Sequence, residues 1–169
     1  NASTARMIET GRALKTALLG TGVPLIVNDD VEAAIAIGAD GLHVGQGDMD
    51  AQTARRLIGP DMILGLSAET EALAAAVDPA VVDYVGAGPV FATATKPGHK
   101  PPVGIVGLAA LVAATSLPAV AIGGLKVDHV EAVLRAGAQG LAVVSAICGQ
   151  PDPRGSAFEL SQAIRKARS

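Results

Sequence analysis

Aromatic residues are nearly absent from this sequence: Phe, Tyr and Trp make up 2% of its 169 residues, although half of all residues are hydrophobic. A core without large rings has to be built from Ala, Val, Leu and Ile. Small and β-branched residues of this kind favour tight layers of helices on strands. Because the chain is long enough for a sizeable core, we expect one α/β domain over residues 1–169.

Cysteine, long apolar runs and positive charge are also scarce. The single cysteine, Cys148, excludes an intrachain disulfide, and its apolar surroundings predict a buried, inert thiol. No stretch reaches the 18 or more apolar residues of a membrane span, and the first residues do not resemble a signal peptide. A net charge of −3 argues against a nucleic-acid surface. We therefore expect a cytoplasmic protein that binds small molecules and neither nucleic acid nor membrane. These properties are compatible with a homo-oligomer.

Short apolar segments alternate with helical segments along the whole chain. Strands are predicted at residues 23–27, 42–44, 62–66, 82–86, 118–122 and 141–144. Helices are predicted from residues 1–4 to Leu19, at 31–37, 51–58, 69–77, around 108–114, and at 127–136 and 155–166. Strands that are apolar throughout are buried on both faces, which indicates a parallel sheet.

Two architectures fit this alternation, an open doubly wound sheet and a closed (β/α)8 TIM barrel. Polar residues follow almost every strand, which favours the barrel, because an open sheet concentrates its site at one switch point. Six strands are two fewer than a closed barrel needs. We therefore predict a TIM barrel in which this sequence lacks the first two strands. Either the protein has a further N-terminal segment that this sequence omits, or the barrel is incomplete. We favour the first, because an open sheet edge would expose unpaired backbone groups and core side chains.

Two carboxylates follow neighbouring predicted strands. Asp29 comes after the run Leu25-Ile-Val-Asn28, and Asp48 comes shortly after Gly41-Leu-His-Val-Gly45. In a barrel both would stand at the same face, where two acids and substrate oxygens suit Mg²⁺. The alternative is that each aspartate caps the helix that follows it. Asn28 can donate to and accept from a heterocycle, which supports a binding site.

Phosphate-binding features occur in the second half of the chain. Thr93, Thr95 and Lys96 lie in a long loop rich in Gly and Pro, at a spacing that suits phosphate or diphosphate oxygens, unless the loop is merely solvated. Gly124 follows one strand, and the pair Val144 and Ser145 follows the next. Paired loops after the last two strands form a common phosphate cradle in barrels, although each could be only a tight turn.

Two side chains near these acids are less decisive. His43 lies inside an apolar strand, where a histidine is more often part of a hydrogen-bonded core than a ligand. Ser67 ends its predicted strand at the same face as the acids. The sequence identifies no base that would make Ser67 a nucleophile, so it is interpreted as a hydrogen-bonding contact.

Taken together, these residues resemble the thiamine-phosphate synthase family. The matching segments, in family order and over nearly the whole chain, are Leu25-Ile-Val-Asn-Asp-Asp30, Gly41-Leu-His-Val-Gly-Gln-Gly-Asp48, Gly65-Leu-Ser67, Asp83-Tyr-Val-Gly-Ala-Gly-Pro89, Thr93-Ala-Thr-Lys96, Ala121-Ile-Gly-Gly124 and Ala142-Val-Val-Ser-Ala-Ile147. The resemblance implies a (β/α)8 barrel that joins a hydroxymethylpyrimidine diphosphate to a thiazole phosphate, giving thiamine phosphate and diphosphate.

The resemblance also implies a role for each candidate residue. Asp29 and Asp48 would hold Mg²⁺. Asn28, Ser67 and Lys96 would contact the pyrimidine diphosphate, with Asn28 and Lys96 assigned to catalysis. The thiazole phosphate would be held by Thr93, Thr95, Gly124, Val144 and Ser145. Two alternatives stay open: a thiazole tautomerase of the same fold, which needs no diphosphate-bound Mg²⁺, and a non-catalytic phosphate-binding regulatory module, which needs no acids.

One departure from the family generates a prediction. A strand of the type Gln-x-Arg-x-Lys precedes the first helix in the family and is absent from this sequence, as is the strand before it. We expect the isolated 169-residue chain to be inactive or poorly folded, and the full-length protein to be active, because that strand would bind the pyrimidine and its diphosphate. Diphosphate release with both substrates and Mg²⁺ measures this, and turnover by the isolated chain would contradict it.

Overall fold

Helices and strands alternate along the chain in the computed structural model, which describes residues 3–93 and 100–169. The chain divides into two units, one formed by Asn1–Ser67 with Asp78–Tyr84 and the other by Ala68–Val77 with Val85–Ser169. Within the described residues, no helix combines the length and the apolar character that crossing a bilayer requires.

The first unit is a parallel three-stranded sheet with helices between its strands. Its elements are α1 (Thr4–Leu18), β1 (Ile26–Asn28), α2 (Val31–Ile37), β2 (Gly41–Val44), α3 (Ala51–Ile58) and all but the last residue of β3 (Ile63–Ala68). The register pairs Asn28 with His43 and His43 with Gly65, so the three strands end at one edge. Leu42 and Leu64 are fully buried at the centre of this sheet.

The second unit repeats the pattern with three further parallel strands. Its elements are α4 (Glu71–Ala75), all but the first residue of β4 (Tyr84–Ala87), α5 (Gly104–Ala114), β5 (Ala119–Ile122), a 3₁₀ turn (Val127–His129), α6 (Val130–Arg135), β6 (Gly140–Ala142) and α7 (Pro153–Arg168). Its core is aliphatic, as the composition predicted, with Val85, Leu108 and Val133 fully buried.

Most sequence-predicted elements are present, and the differences lie at their ends. The first strand begins at Ile26, and the third continues through Ser67 to Ala68. The helix predicted at residues 127–136 opens as a 3₁₀ turn. The prediction of a buried Cys148 is wrong, since this thiol is exposed. The reason is that β6 ends at Ala142, so Cys148 lies in the turn that follows the strand instead of in a buried strand.

Arg55 joins three segments of the first unit. Arg55 and Arg56 lie in the last turn of α3, where positive charge interacts favourably with the helix dipole. The structure gives Arg55 a further role, because its guanidinium donates to the carbonyl oxygens of Gly59, Met62 and Val81 at 2.6–2.9 Å. It also forms an ion pair of 2.7 Å with Asp83 and is only 17% exposed.

Asp83 links Arg55 to strand β3. Its carboxylate accepts the backbone N–H of Leu64 at 2.7 Å, while pairing with Arg55. The sequence placed Asp83 inside a strand, but it precedes β4 and uses its side chain to anchor β3. The segment that leads into β4 is thereby held against α3 and β3.

Replacing Arg55 should destabilise the protein. We expect Arg55→Met to lower the free energy of unfolding by about 2–3 kcal/mol, because it leaves several partly buried acceptors without a donor. Arg56→Met is the matched control: Arg56 lies in the same helical turn and donates to the exposed Thr53 hydroxyl. Its cost should stay within about 0.5 kcal/mol. Urea unfolding measures both, and equal losses would contradict the role assigned to Arg55.

Candidate functional site

Asp29 lies in a strained turn at the end of β1. Its φ is 67°, and among the described residues it is the one residue other than glycine whose φ is positive. The N–H of Asp30 donates to the Asn28 carbonyl across it at 2.9 Å, which is the hydrogen bond of a γ-turn. With positive φ this is the rarer and strained form of that turn. Strain of this kind concentrates at functional sites, where surrounding contacts hold it in place.

A contact with β2 provides such support. The Asp29 N–H donates to the His43 carbonyl at 2.8 Å, so the pairing of β1 with β2 continues one residue beyond Asn28. Asn28 itself is the exposed last residue of β1. The turn therefore presents an amide and a carboxylate, one after the other, at the carboxyl edge of the first unit.

Asp48 is hydrogen-bonded to Gly45 at the end of β2, at the same edge of the sheet. Its carboxylate accepts the N–H of Gly45 at 2.8 Å, and its own N–H donates to the Gly45 carbonyl at 3.2 Å. Gly45 directly follows β2. The carboxylate accepts this bond through Oδ2, and a carboxylate has about four acceptor positions in all.

The caps of the following helices are formed by other aspartates. Asp30 accepts the N–H of Ala33 at the start of α2, and Asp50 accepts the N–H of Thr53 at the start of α3. The bond from Thr53 lowers the pKa of Asp50. The alternative that Asp29 and Asp48 are the helix caps is therefore wrong, because each is displaced by an aspartate one or two residues further on.

Ser67 has a partner that the sequence did not reveal. Its hydroxyl lies 2.9 Å from Nε2 of His43, and Nδ1 of the same ring lies 3.0 Å from the Tyr84 hydroxyl. The interpretation of His43 as a hydrogen-bonded, partly buried histidine is thereby confirmed. Its pairing with Ser67 was missed, although the parallel register of two adjacent strands was the available signal.

The segment that precedes Thr93 lies against Gly124 in the second unit. After β4 the chain runs beside the end of β5, with Phe91 N–H donating to the Gly123 carbonyl at 3.0 Å. A Cβ at position 124 would lie 2.5 Å from the carbonyl oxygen of Ala92, the residue before Thr93. The glycine pair thus allows the threonine segment to approach closely.

Val144 and Ser145 follow the neighbouring strand. Ile122 pairs with Ala142, so the glycine turn and the Val144 segment leave the same edge of β5 and β6. The Val144 carbonyl accepts N–H groups from Ile147 and Cys148, which closes a turn. Both residues are exposed. The arrangement matches the expected paired loops, whereas Thr95 and Lys96 lie outside the described residues.

The strand-and-helix repeat defines the class of protein. Within the described residues, six parallel strands alternate with helices and polar groups follow the strands, and this alternation is typical of TIM-barrel enzymes. A solved structure of thiamine phosphate pyrophosphorylase from Pyrococcus furiosus superposes with a TM-score of 0.90 and 34% identity, covering 100% of this chain and 81% of that one. The fold is accordingly the α/β TIM-barrel type, represented by six strands.

Sequence comparison identifies the family. The family described as thiamine monophosphate synthase matches residues 1–147. A thiamine-phosphate synthase of Vibrio parahaemolyticus is 52% identical over 146 residues, or 86% of this chain and 72% of the relative. One from Azorhizobium caulinodans is 46% identical over 162 residues, covering 96% and 76%. The chain belongs to the thiamine monophosphate synthase family.

The close approach at Gly124 can be tested by adding one methyl group. Gly124→Ala should lower the free energy of unfolding, because the methyl group meets Ala92 and Phe91 and the backbone has a φ of 65°. Gly22→Ala is the control, with a φ of 73° and open space around it. We expect Gly124→Ala to cost at least about 1 kcal/mol more than Gly22→Ala in urea unfolding. Equal costs would indicate that only backbone strain matters.

Proposed function

We propose that the full-length protein to which this chain belongs carries out the coupling step of a thiamine-phosphate synthase. The C–O bond between the pyrimidine methylene and its diphosphate breaks, and the thiazole nitrogen forms a C–N bond to that carbon. The products are thiamine phosphate and diphosphate. The observation that carries the proposal is that Asp29 and Asp48 follow β1 and β2 at the same edge of the first unit, while Asp30 and Asp50 cap the helices.

The donor set fits Mg²⁺. Within residues 3–93 and 100–169, no group of three or more His, Cys, Asp or Glu side chains forms a complete metal site. Mg²⁺ typically takes one or two carboxylates and completes its shell with water and substrate phosphates. Asp29 and Asp48 provide two such carboxylates. When bound, the ion would neutralise the negative charge that develops on the departing diphosphate.

The chain's own residues hold and orient the two substrates. Asn28 and Ser67 contact the pyrimidine diphosphate, and Lys96 adds a cation toward its phosphates. The thiazole phosphate is held by the Thr93, Thr95, Gly124, Val144 and Ser145 set, the last three largely through backbone groups. No protein nucleophile is required, because the aminopyrimidine itself stabilises a carbocation-like centre. Holding the thiazole nitrogen against that carbon supplies much of the rate.

Two other functions were open on the sequence alone, a thiazole tautomerase and a phosphate-binding regulatory module. The family description and both relatives described above are those of synthases, so neither alternative has support. A cytoplasmic location and a homo-oligomer stay predictions. So does the restriction to small-molecule substrates, without nucleic acid or membrane.

Charge removal at the two acids tests the proposal. In the full-length protein we expect Asp29→Asn and Asp48→Asn each to lower diphosphate release by about 100-fold or more, with a higher Mg²⁺ requirement. Asp30→Asn and Asp50→Asn are the matched controls. Asn caps helices about as well as Asp, so these should stay within a few-fold of the unsubstituted protein.

Three results would contradict the proposal. The first is absence of diphosphate release by the full-length protein with both substrates and Mg²⁺. The second is release that persists in a chelator, since the proposal requires Mg²⁺ for departure of the diphosphate. The third is an equal effect of all four substitutions, which would indicate a general loss of charge or fold instead of a metal site at Asp29 and Asp48.

A further inference from the structure

A line of polar side chains in the first unit leads to Ser67, and two of its members, Tyr84 and His43, have no role in the coupling step described so far. The Tyr84 hydroxyl, the His43 ring and the Ser67 hydroxyl form consecutive hydrogen bonds of 3.0 and 2.9 Å across three strands. All three side chains are partly buried. Gln46 adds a bond of 2.6 Å to the Ser67 carbonyl, so the serine is held at both its side chain and its backbone.

The space that the rings of His43 and Tyr84 occupy is left open by a glycine, Gly65. Gly65 lies on β3, beside His43 in the register. A Cβ at this position would be 2.2 Å from Cζ of Tyr84 and 2.4 Å from Nδ1 of His43, too close for any side chain. The contact between the two rings, whose centroids are 5.4 Å apart, is therefore possible only with glycine here.

The order of donors along the line follows from the tyrosine. Burial raises the pKa of the Tyr84 hydroxyl, so the phenol keeps its proton. A partly buried O–H needs an acceptor, and the acceptor that the described residues offer is Nδ1 of His43. Neutral imidazole has one N–H, which must then be on Nε2. In this order the Nε2–H of a neutral ring would donate to the Ser67 oxygen, 2.9 Å away, and the serine proton would point away from the ring.

We propose that Tyr84 and His43 are positioning residues that set Ser67 as a hydrogen-bond donor toward the pyrimidine diphosphate. The acceptor is a phosphate oxygen or a ring nitrogen of that substrate, both of which lack protons at neutral pH. The inference rests on the proposed function, in which Ser67 contacts this substrate. In this proposal the His43 ring acts on the substrate only through Ser67, which distinguishes it from a side chain that merely supports the sheet.

The tautomer can be observed without any activity. In ¹⁵N NMR spectra of the full-length protein, His43 should show a protonated Nε2 and an unprotonated Nδ1, with the signals assigned by their loss in His43→Gln. Tyr84→Phe removes the donor to Nδ1, and the proton should then shift toward Nδ1. Protonation of Nδ1 in the unsubstituted protein would overturn the inference, even if the protein releases diphosphate.

Kinetics of a double-mutant cycle test whether His43 acts through Ser67. We expect His43→Leu and Ser67→Ala each to lower kcat/KM for the pyrimidine diphosphate by about 10- to 100-fold, the range of one hydrogen bond to a charged group. The double variant should lose no more than Ser67→Ala alone. His43→Gln should retain most activity, since its amide N–H reaches the position of Nε2–H.

The outcomes separate the two proposals. Diphosphate release by the unsubstituted protein with additive losses in the double variant would overturn the role of His43 and leave the synthase intact. So would failure of His43→Gln to exceed His43→Leu when both have the same unfolding free energy. Absence of release from the unsubstituted protein would defeat the proposed function, while the NMR measurement would still decide the proton order at His43.

Discussion

The backbone hydrogen bond from Asp29 to His43 connects the polar features of the first unit. On one side it holds Asp29 in a strained turn with a φ of 67°, which places a carboxylate at the end of β1. On the other side, the acceptor of this bond is the carbonyl of His43, and the ring of the same residue contacts both Ser67 and Tyr84. Loss of this hydrogen bond would therefore release the Asp29 turn and disturb the backbone of the residue that supports Ser67.

Two acids stand in each of the connections β1–α2 and β2–α3. Asp30 and Asp50 satisfy N–H groups at the starts of α2 and α3, which would otherwise lack partners. Asp29 and Asp48 do not form these caps. In each connection one acid therefore caps the helix, and the other is the candidate metal ligand.

Two glycines, Gly65 and Gly124, leave space for neighbouring groups to approach closely. Gly65 leaves space for the rings of His43 and Tyr84, and Gly124 leaves space for the backbone at Ala92 and Phe91. In both places the space is occupied by neighbouring protein atoms, so substitution would displace parts of the candidate site directly. The small-residue composition that removes large rings from the core therefore also permits close approach of strands and loops.

Much of the fold could be predicted from local patterns, and so could the candidates for the site. The alternation of apolar runs with helical segments predicted the α/β class, and polar residues after apolar runs made Asn28, Asp29 and Ser67 candidate site residues. Such patterns depend only on neighbours in the chain. They could not decide which aspartate of each pair caps a helix, because that depends on the backbone angles of a single turn.

Other features were decided only by tertiary structure. The pairing of His43 with Ser67 joins residues 24 positions apart, and the ion pair of Arg55 with Asp83 joins residues 28 apart. The exposure of Cys148 depends on β6 ending two residues earlier than its apolar run suggests. The sequence by itself determined the residue types and the order of the elements. Strand register and the turns between elements determined which of those residues meet, since distances across a sheet are not encoded by spacing along the chain.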